Sequence, residues 1–556
     1  MKYISSIVFC LFICGNALAA TYYVDFNSGD NSNDGSISNP WKEAPGTQNP
    51  VDTPTDGWTS IAAGDTLIFT GGQTWTRGIR IAAATGYANP TNEAGRITFT
   101  TSDQDITNRA VIDLTGVDFQ YGIKIDGIDF VQVEYFEVTV PSYTGSNGNG
   151  IWCNSCDEMK VYYNYSHDID NGNNADSYAF TCNDGSGGEI AYNIFEDANQ
   201  KIVECFRHND GIFHHNLVQA NSDFSGDLDH LMVVTQSSSG WSIYSNIFIL
   251  YKNFATDPFA GFKFDGTAGG TKPDGNKLYN NIFIGTPQCI ALIDAGTTNG
   301  NEIIGNTCYG QDNQWSSGAY GLNGITLCYQ NQGTECANNK IKNNIIYEIG
   351  TNTTSPSGNM ACMLVGPPST DISGNEIENN LCYHESASNI RFFVFGTGAQ
   401  TEAEMESNWH GSNSNVFQNN VVGSDPAFSG GADPVSNLPT GFTSGFLPNN
   451  TGLQLTGSSS AVDSGVTLSS PYNVDILGSA RSGFWDLGAY ELIAGIAFLG
   501  NPVSPSLSGS APTTLGNPTS PSLSGSGPAL LGNPTTPSLS GTTPTFLSSP
   551  TAPELN

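Results

Sequence analysis

Residues 277–285 read KLYNNIFIG, two asparagines set inside a run of apolar and aromatic residues. Asparagine is poor strand material, yet the pattern recurs as VYYNYSHD (161–168), IAYNIFED (190–197), FHHNLVQA (213–220), IYSNIFIL (243–250), IIGNTCYG (303–310), IKNNIIYE (341–348), IENNLCYH (377–384) and FQNNVVGS (417–424). Aligned on the last asparagine of each, the copies fall at Asn164, Asn193, Asn216, Asn246, Asn281, Asn306, Asn344, Asn380 and Asn420. The position three residues earlier is always apolar, and of the positions one residue later only Thr307 is neither apolar nor aromatic. The intervals are 29, 23, 30, 35, 25, 38, 36 and 40 residues. A fixed unit with insertions of variable length is the pattern of a solenoid whose loops leave each coil on one side.

Each copy follows a short alternating apolar segment, such as GIWCN (150–154), YAFTC (178–182), LMVVT (231–235) or GFKFDG (261–266). No helical periodicity accompanies them, so the expectation is two short strands per repeat, stacked as parallel coils. Stacking puts the same position of successive repeats one above another. An asparagine at the bend then hydrogen-bonds its neighbours as a ladder, and asparagine tolerates the left-handed backbone of a sharp bend.

The chain ends fit the same picture. TYYVDFNSGDNSNDGSISNPWKEAPG (21–46) and IAAGDTLIFTGGQTW (61–75) precede the first coils, and SDPAF (424–428), SSSAVDSG (458–465) and DILGSARSGFWDLGAYE (475–491) follow the last. On these segments and the repeats the chain resembles the right-handed parallel β-helix proteins of the pectate-lyase-like superfamily. The resemblance implies an all-β, single-stranded right-handed parallel β-helix of roughly a dozen coils. The organisation expected is a signal peptide over 1–19, an N-terminal cap with the first coils over 20–110, the β-helix over 111–425, a closing segment over 426–494 and a low-complexity tail over 495–556. The superfamily includes lyases, hydrolases, epimerases and non-catalytic surface proteins, so the fold leaves the activity open.

Met1-Lys2, an apolar run from Ile4 to Cys14 and Ala17-Leu18-Ala19 have the form of a secretory signal. No later segment is long and apolar enough to read as a membrane span. The formal charge of −34, from 52 acids against 18 bases, argues against a nucleic-acid partner, since no basic field is available to meet phosphates. Ten cysteines lie beyond the signal; Cys328/Cys336 and Cys153/Cys156 are candidate disulfides, and small apolar core residues are the other reading. From Leu499 the motif LGNPxxPSLSG repeats every 16 residues with Glu554 as its only charge, which reads as an extended spacer or a surface-attachment tail.

Chemistry concentrates in the middle of the chain. Five of seven histidines (167, 208, 214, 215 and 230) fall within 64 residues, and six of the 18 bases lie between Lys201 and Lys277. Strand alternation turns Lys263 and Asp265 outward if Phe262 and Phe264 face in, and Glu204 and Phe206 outward if Val203 and Cys205 face in. Stacking gathers these residues into one groove, and the resemblance implies that a polysaccharide binds there. For β-elimination on a uronic-acid glycan, Lys263 is the expected base, assisted by Arg207, with His230, His208 and Asp168 as further catalytic candidates. Trp152, Lys252, Asp265 and Asp170 are expected to bind substrate, and Glu204, Asp227 and Asp229 to ligate calcium. A hydrolase would use Asp168, Asp170, Asp227 and Asp229 instead, and a non-catalytic glycan-binding surface protein is the third possibility. The paired aspartates and His-Gly of polygalacturonases are absent, and CFRHNDG (205–211) keeps only a fragment of the Arg-His-Gly lyase pattern. His214 and His215 are read as structural. The cluster Asp25, Asn27, Asp30, Asn31, Asn33 and Asp34 reads as a turn, with calcium as the alternative.

Overall fold

The computed structural model describes residues 19–50, 58–145, 147–169, 176–221, 228–250, 260–266, 273–286, 288–293, 298–310, 323–329, 336–349, 360–366, 372–384, 390–394, 398–430 and 452–492. The expected signal segment before Ala19, the repeat tail, and Asp170, Asp227 and Lys252 lie outside the described residues.

Each coil carries three strands, one more than the sequence led us to expect. The first follows the pattern of Lys160–Tyr162, the second that of Tyr165–His167 and the third that of Ser177–Ser186. Corresponding strands of successive coils pair in register, giving sheets of 13, 12 and 12 strands. We number these sheets I, II and III in the order the chain visits them. Lys160 stands opposite Glu189, Tyr165 opposite Ile194, and Cys153 opposite Cys182. All pairings along the stack are parallel, which makes the molecule a right-handed parallel β-helix. The third strand was missed because in the asparagine repeats the strands of sheets I and II are mostly three residues long and only two residues apart, so they read as one segment.

The interior is a continuous apolar column, with Phe180, Phe195, Phe213, Phe248, Phe262 and Phe264 fully buried. The asparagines of the repeat run along the corner between sheets I and II. The backbone N–H of Asn246 donates to Oδ1 of Asn281 at 3.0 Å, and that of Asn281 to Oδ1 of Asn306 at 3.0 Å. The same relay continues through Asn344, Asn380 and Asn420. Burial would leave these corner amides without water, so a side-chain acceptor in each coil satisfies them. The left-handed residue is not the ladder asparagine but the one before it: Tyr163 (φ 57°), Tyr192 (φ 60°), Asn280 (φ 53°), Asn343 (φ 59°). This explains the doubled asparagine of NNIF: the first makes the bend and the second the ladder. A second ladder, Asn276, Asn301, Asn339, Asn375 and Asn415, runs along the corner between sheets III and I, each backbone N–H donating at 3.0 Å to the next Oδ1.

Two disulfides, Cys289–Cys308 and Cys362–Cys382, join sheet III to sheet II across the core. Cys336 is also disulfide-bonded, while the Cys328 side chain lies outside the described residues. Cys153 and Cys156 do not pair; they are buried free thiols together with Cys182 and Cys205. The closing segment lies over the corner of sheets I and II: Asn280 Nδ2 donates to the Val474 carbonyl at 2.7 Å and Asn343 Nδ2 to the Val466 carbonyl at 2.8 Å. Leu453, Leu455, Ile476 and Leu487 cover the outward apolar face of sheet II at Ile282, Ile345 and Leu381. The last sheet III strand, Ile390–Val394, pairs antiparallel with Gly398–Gln400. A helix over Glu402–Asn408 with a Thr401/Glu404 capping box follows, so the growing edge is covered.

The Asp/Asn cluster near the N-terminus is a set of side-chain-capped turns. Asp25 Oδ1 accepts from the backbone of Ser28 at 2.8 Å, Asp30 Oδ1 from Ser32 at 2.8 Å and Asp34 Oδ1 from Ser36 at 2.9 Å. Among the described residues no helix is long and apolar enough to cross a membrane.

Candidate functional site

Sheet III has the longest strands, up to the ten residues of Gln200–Asn209. Its outward side chains form columns. One column follows the pairings Lys124, Trp152, Thr181, Glu204, Val233 and Lys263. A second follows Lys201, His230 and Ala260, shifted by an irregularity between Gln200 and Lys201. Phe262 and Phe264 are buried, and Lys263 and Asp265 face outward, as alternation requires.

A polar cluster forms where these columns meet. The Lys201 ammonium lies 3.5 Å from Glu204 Oε1 and 3.4 Å from Asp176 Oδ2. The Tyr178 hydroxyl donates to Asp176 Oδ2 at 3.0 Å, and Lys201 sits over the Tyr178 ring at 5.7 Å from its centroid. One coil on, His230 stands opposite Lys201 and is 5% exposed. In the next coil Lys263 pairs with Asp265 at 3.0 Å. Burial pushes the Glu204 carboxyl up against the pull of Lys201. Burial also works against the Lys201 ammonium, but Glu204 and Asp176 overcome it and hold its pKa above the usual lysine value. His230 is driven well below the ordinary histidine range, first by burial and then by the charges of Lys263 and Lys201. The cluster thus holds a charged ammonium, a neutral imidazole and a phenol, Tyr178, whose pKa burial raises.

Of the residues expected from the sequence, Glu204, His230, Lys263 and Asp265 belong to this region, with Asp229 in the same strand as His230. Trp152 lies two coils before Glu204 in the same column. Three expectations are corrected. Arg207 has a left-handed backbone (φ 51°) that breaks the alternation, and its guanidinium pairs with Asp184 at 2.7 Å. The next residue, His208, turns inward, fully buried against Trp241, with its pKa lowered to about 4 by burial. Asp168 follows a sheet II strand and pairs with His167 at 2.8 Å. Sequence reasoning assigned no role to Tyr178, Asp176 or Lys201, although Asp176 and Lys201 lie in the stretch where it placed the chemistry. The scarcity of bases was a usable signal for Lys201, but the strand irregularity beside it hides which way it faces.

Among the described residues no group of three or more His, Cys, Asp or Glu side chains is arranged to hold a metal ion. In the described part of the expected calcium set, the Lys201 ammonium lies 3.5 Å from the Glu204 carboxylate.

A second cluster lies on sheet II. There Asp168 is held below the carboxylate range by His167, while burial, with the charges of Glu196 and Asp168, raises Asp197 to about 7. His214 and His215 belong to neither cluster. His214 Nε2 lies 2.8 Å from Glu189, and His215 occupies the left-handed position before Asn216.

The strand register by itself defines the class as a parallel β-helix. No family model matches the sequence, and no curated protein matches it. Among solved structures, pectate lyase Pel9A matches with 16% identity over 86% of this chain and 97% of its own, at a TM-score of 0.48. XylC in complex with xylose matches with 11% identity over 85% of this chain and 98% of its own, at 0.44. GH136 lacto-N-biosidase from Eubacterium ramulus matches with 12% identity over 73% of this chain and 68% of its own, at 0.40. These likenesses bring no substrate or mechanism to this chain.

Proposed function

We propose that the protein is a secreted carbohydrate-active enzyme that lays an acidic polysaccharide along sheet III and cleaves it by β-elimination. The observation that carries this reading is the cluster of Tyr178, Lys201, Glu204, His230 and Lys263 on the outward face of the longest strands. β-Elimination needs a positive charge on the substrate carboxylate, a neutral base for the adjacent C–H and an acid for the leaving oxygen. Lys201, held charged between two carboxylates, suits the first role. Lys263, one coil beyond His230 and paired with Asp265 at 3.0 Å, joins it. His230, held neutral, is the proton acceptor in place of Lys263, and the Tyr178 phenol protonates the leaving oxygen. The cationic side chains take the part for which calcium was expected, so activity should survive chelation. Secretion fits the N-terminal signal pattern and the buried disulfides, which form in oxidising compartments. Anchoring through the repeat tail remains part of the proposal, resting on its composition alone.

The test is product analysis by mass spectrometry after incubation with a panel of polyuronates. Elimination yields one oligosaccharide end lighter by one water than the hydrolytic product, and Lys201→Ala and His230→Ala abolish it. A second reading is hydrolysis at Asp168 and Asp197, whose opposed pKa shifts are those of a stabilising carboxylate and a general acid. Hydrated products lost in Asp197→Asn but kept in Lys201→Ala would favour it. Binding without any product would favour the adhesive reading.

A further inference from the structure

Two coils before Glu204 the outward column of sheet III carries a different chemistry. Lys124 Nζ lies 3.7 Å from the Trp152 ring centroid and 5.8 Å from that of Tyr121. It also lies 3.5 Å from Asp126, which is shared with Arg80 Nε at 2.7 Å and Asn154 Nδ2 at 2.7 Å. Asp126 is therefore already engaged by two other donors, and Lys124 holds only part of its charge. The Trp152 indole N–H and the Asn149 side-chain carbonyl on the same strand are buried and have no hydrogen-bond partner among the described residues. Buried polar groups are nearly always satisfied, so an orphan donor and an orphan acceptor beside an under-compensated ammonium point to a missing ligand.

We infer that Tyr121, Lys124 and Trp152 form a distal subsite that binds one acidic sugar unit of the same polysaccharide chain; this rests on the reading of sheet III as the substrate face. The carboxylate of that unit draws Lys124 off the indole face, and the freed ring stacks on the pyranose. Coils rise by about 4.8 Å, so Trp152 stands about 10 Å and Lys124 about 14 Å from Glu204 along the axis. A sugar in an extended glycan advances by about one coil, and the subsite therefore engages only chains of roughly four units or more. Short oligosaccharides bound at the Lys201 cluster do not reach it.

The experiment is calorimetric titration of the full-length protein with acidic disaccharides and hexasaccharides from the same polyuronate. Wild type binds the hexasaccharide more tightly. Trp152→Ala and Lys124→Gln each weaken hexasaccharide binding about tenfold and leave disaccharide binding unchanged, while Trp152→Phe keeps most of the affinity. Circular dichroism checks that each variant folds, and Lys124→Gln, at a partly exposed position, covers the case in which Trp152→Ala does not. Hexasaccharide affinity unchanged in Lys124→Gln overturns the subsite alone. A wild-type protein that binds no acidic oligosaccharide overturns the function on which it rests.

Discussion

Replacing Asn281 by alanine should destabilise the coils around it far more than an ordinary polar-to-alanine change. Its Oδ1 accepts from the backbone N–H of Asn246 at 3.0 Å and from the Asn246 amide at 3.0 Å. Its Nδ2 donates to the carbonyl of Ile243 at 2.9 Å, to Asn306 Oδ1 at 3.0 Å and to the carbonyl of Tyr279 at 3.1 Å, which also accepts from the Ser245 N–H at 3.4 Å and so keeps a partner. Asn281 is fully buried, so no water replaces it. Asn306 Oδ1 keeps its bond from the Asn281 backbone at 3.0 Å, but the Asn246 N–H and the Ile243 carbonyl each lose a partner. At about 1–3 kcal/mol for each such group, the change costs about 2–6 kcal/mol. Stability in a solenoid is a sum over coils and their neighbours, so the loss should be local. Hydrogen exchange read by mass spectrometry should therefore accelerate in peptides spanning Asn246 and Asn306 and leave the N-terminal coils unaffected, with a matching drop in urea midpoint. Asn183→Ala is the control, since among the described residues its side chain accepts one hydrogen bond, from Thr181 at 3.0 Å, on the partly exposed face; it should cost less than about 0.5 kcal/mol. An Asn281→Ala protein within about 1 kcal/mol of wild type, with unchanged exchange at Asn246, would refute the ladder as a stabilising element.

Three further outcomes follow from the same geometry. Because His230 is held well below the ordinary histidine pKa, it stays neutral as the pH falls, so the acid limb of kcat/KM should lie well below pH 6.5. A limb near 6.5 would mean that His230 is not the titrating base. Asp197 holds its proton up to about 7 in the fold but releases it near the usual carboxylate value when unfolded, so its contribution to stability falls as pH rises from about 4 to 7. Asp197→Asn should raise Tm at pH 8, above that window, and flatten the slope across it in thermal melts. Cys153, Cys156, Cys182 and Cys205 should resist alkylation in the native protein and label fully after denaturation without reductant, whereas Cys289, Cys308, Cys362 and Cys382 should label only after reduction.

The fold was legible in the sequence because a stacked architecture repeats its constraints. One apolar position and one asparagine recur in phase nine times, and the ladder through Asn281 is what that phase encodes. The second ladder was equally present, as Asn276, Asn301, Asn339, Asn375 and Asn415, but lies beside Gly-rich turns where asparagine is unremarked. The site was half legible. Alternation aimed Glu204, Lys263 and Asp265 outward because their neighbours are unbroken apolar residues. It failed at Arg207, where a left-handed backbone resets the alternation, and at Lys201, where the strand shifts register against the next coil. Asp168 was misplaced because sequence cannot tell which of two sheets flanks a corner. Local propensity does not encode which coil a side chain faces across; only the register does.

The most direct test of the proposed activity is ultraviolet absorbance during incubation with polyuronates, since elimination creates a double bond conjugated to the carboxyl group. The account predicts that wild type generates this absorbance with and without chelator, and that Lys201→Ala and His230→Ala do not while remaining folded. A wild-type protein that releases no unsaturated product from any polyuronate, or a Lys201→Ala variant that releases it at the wild-type rate, would contradict it.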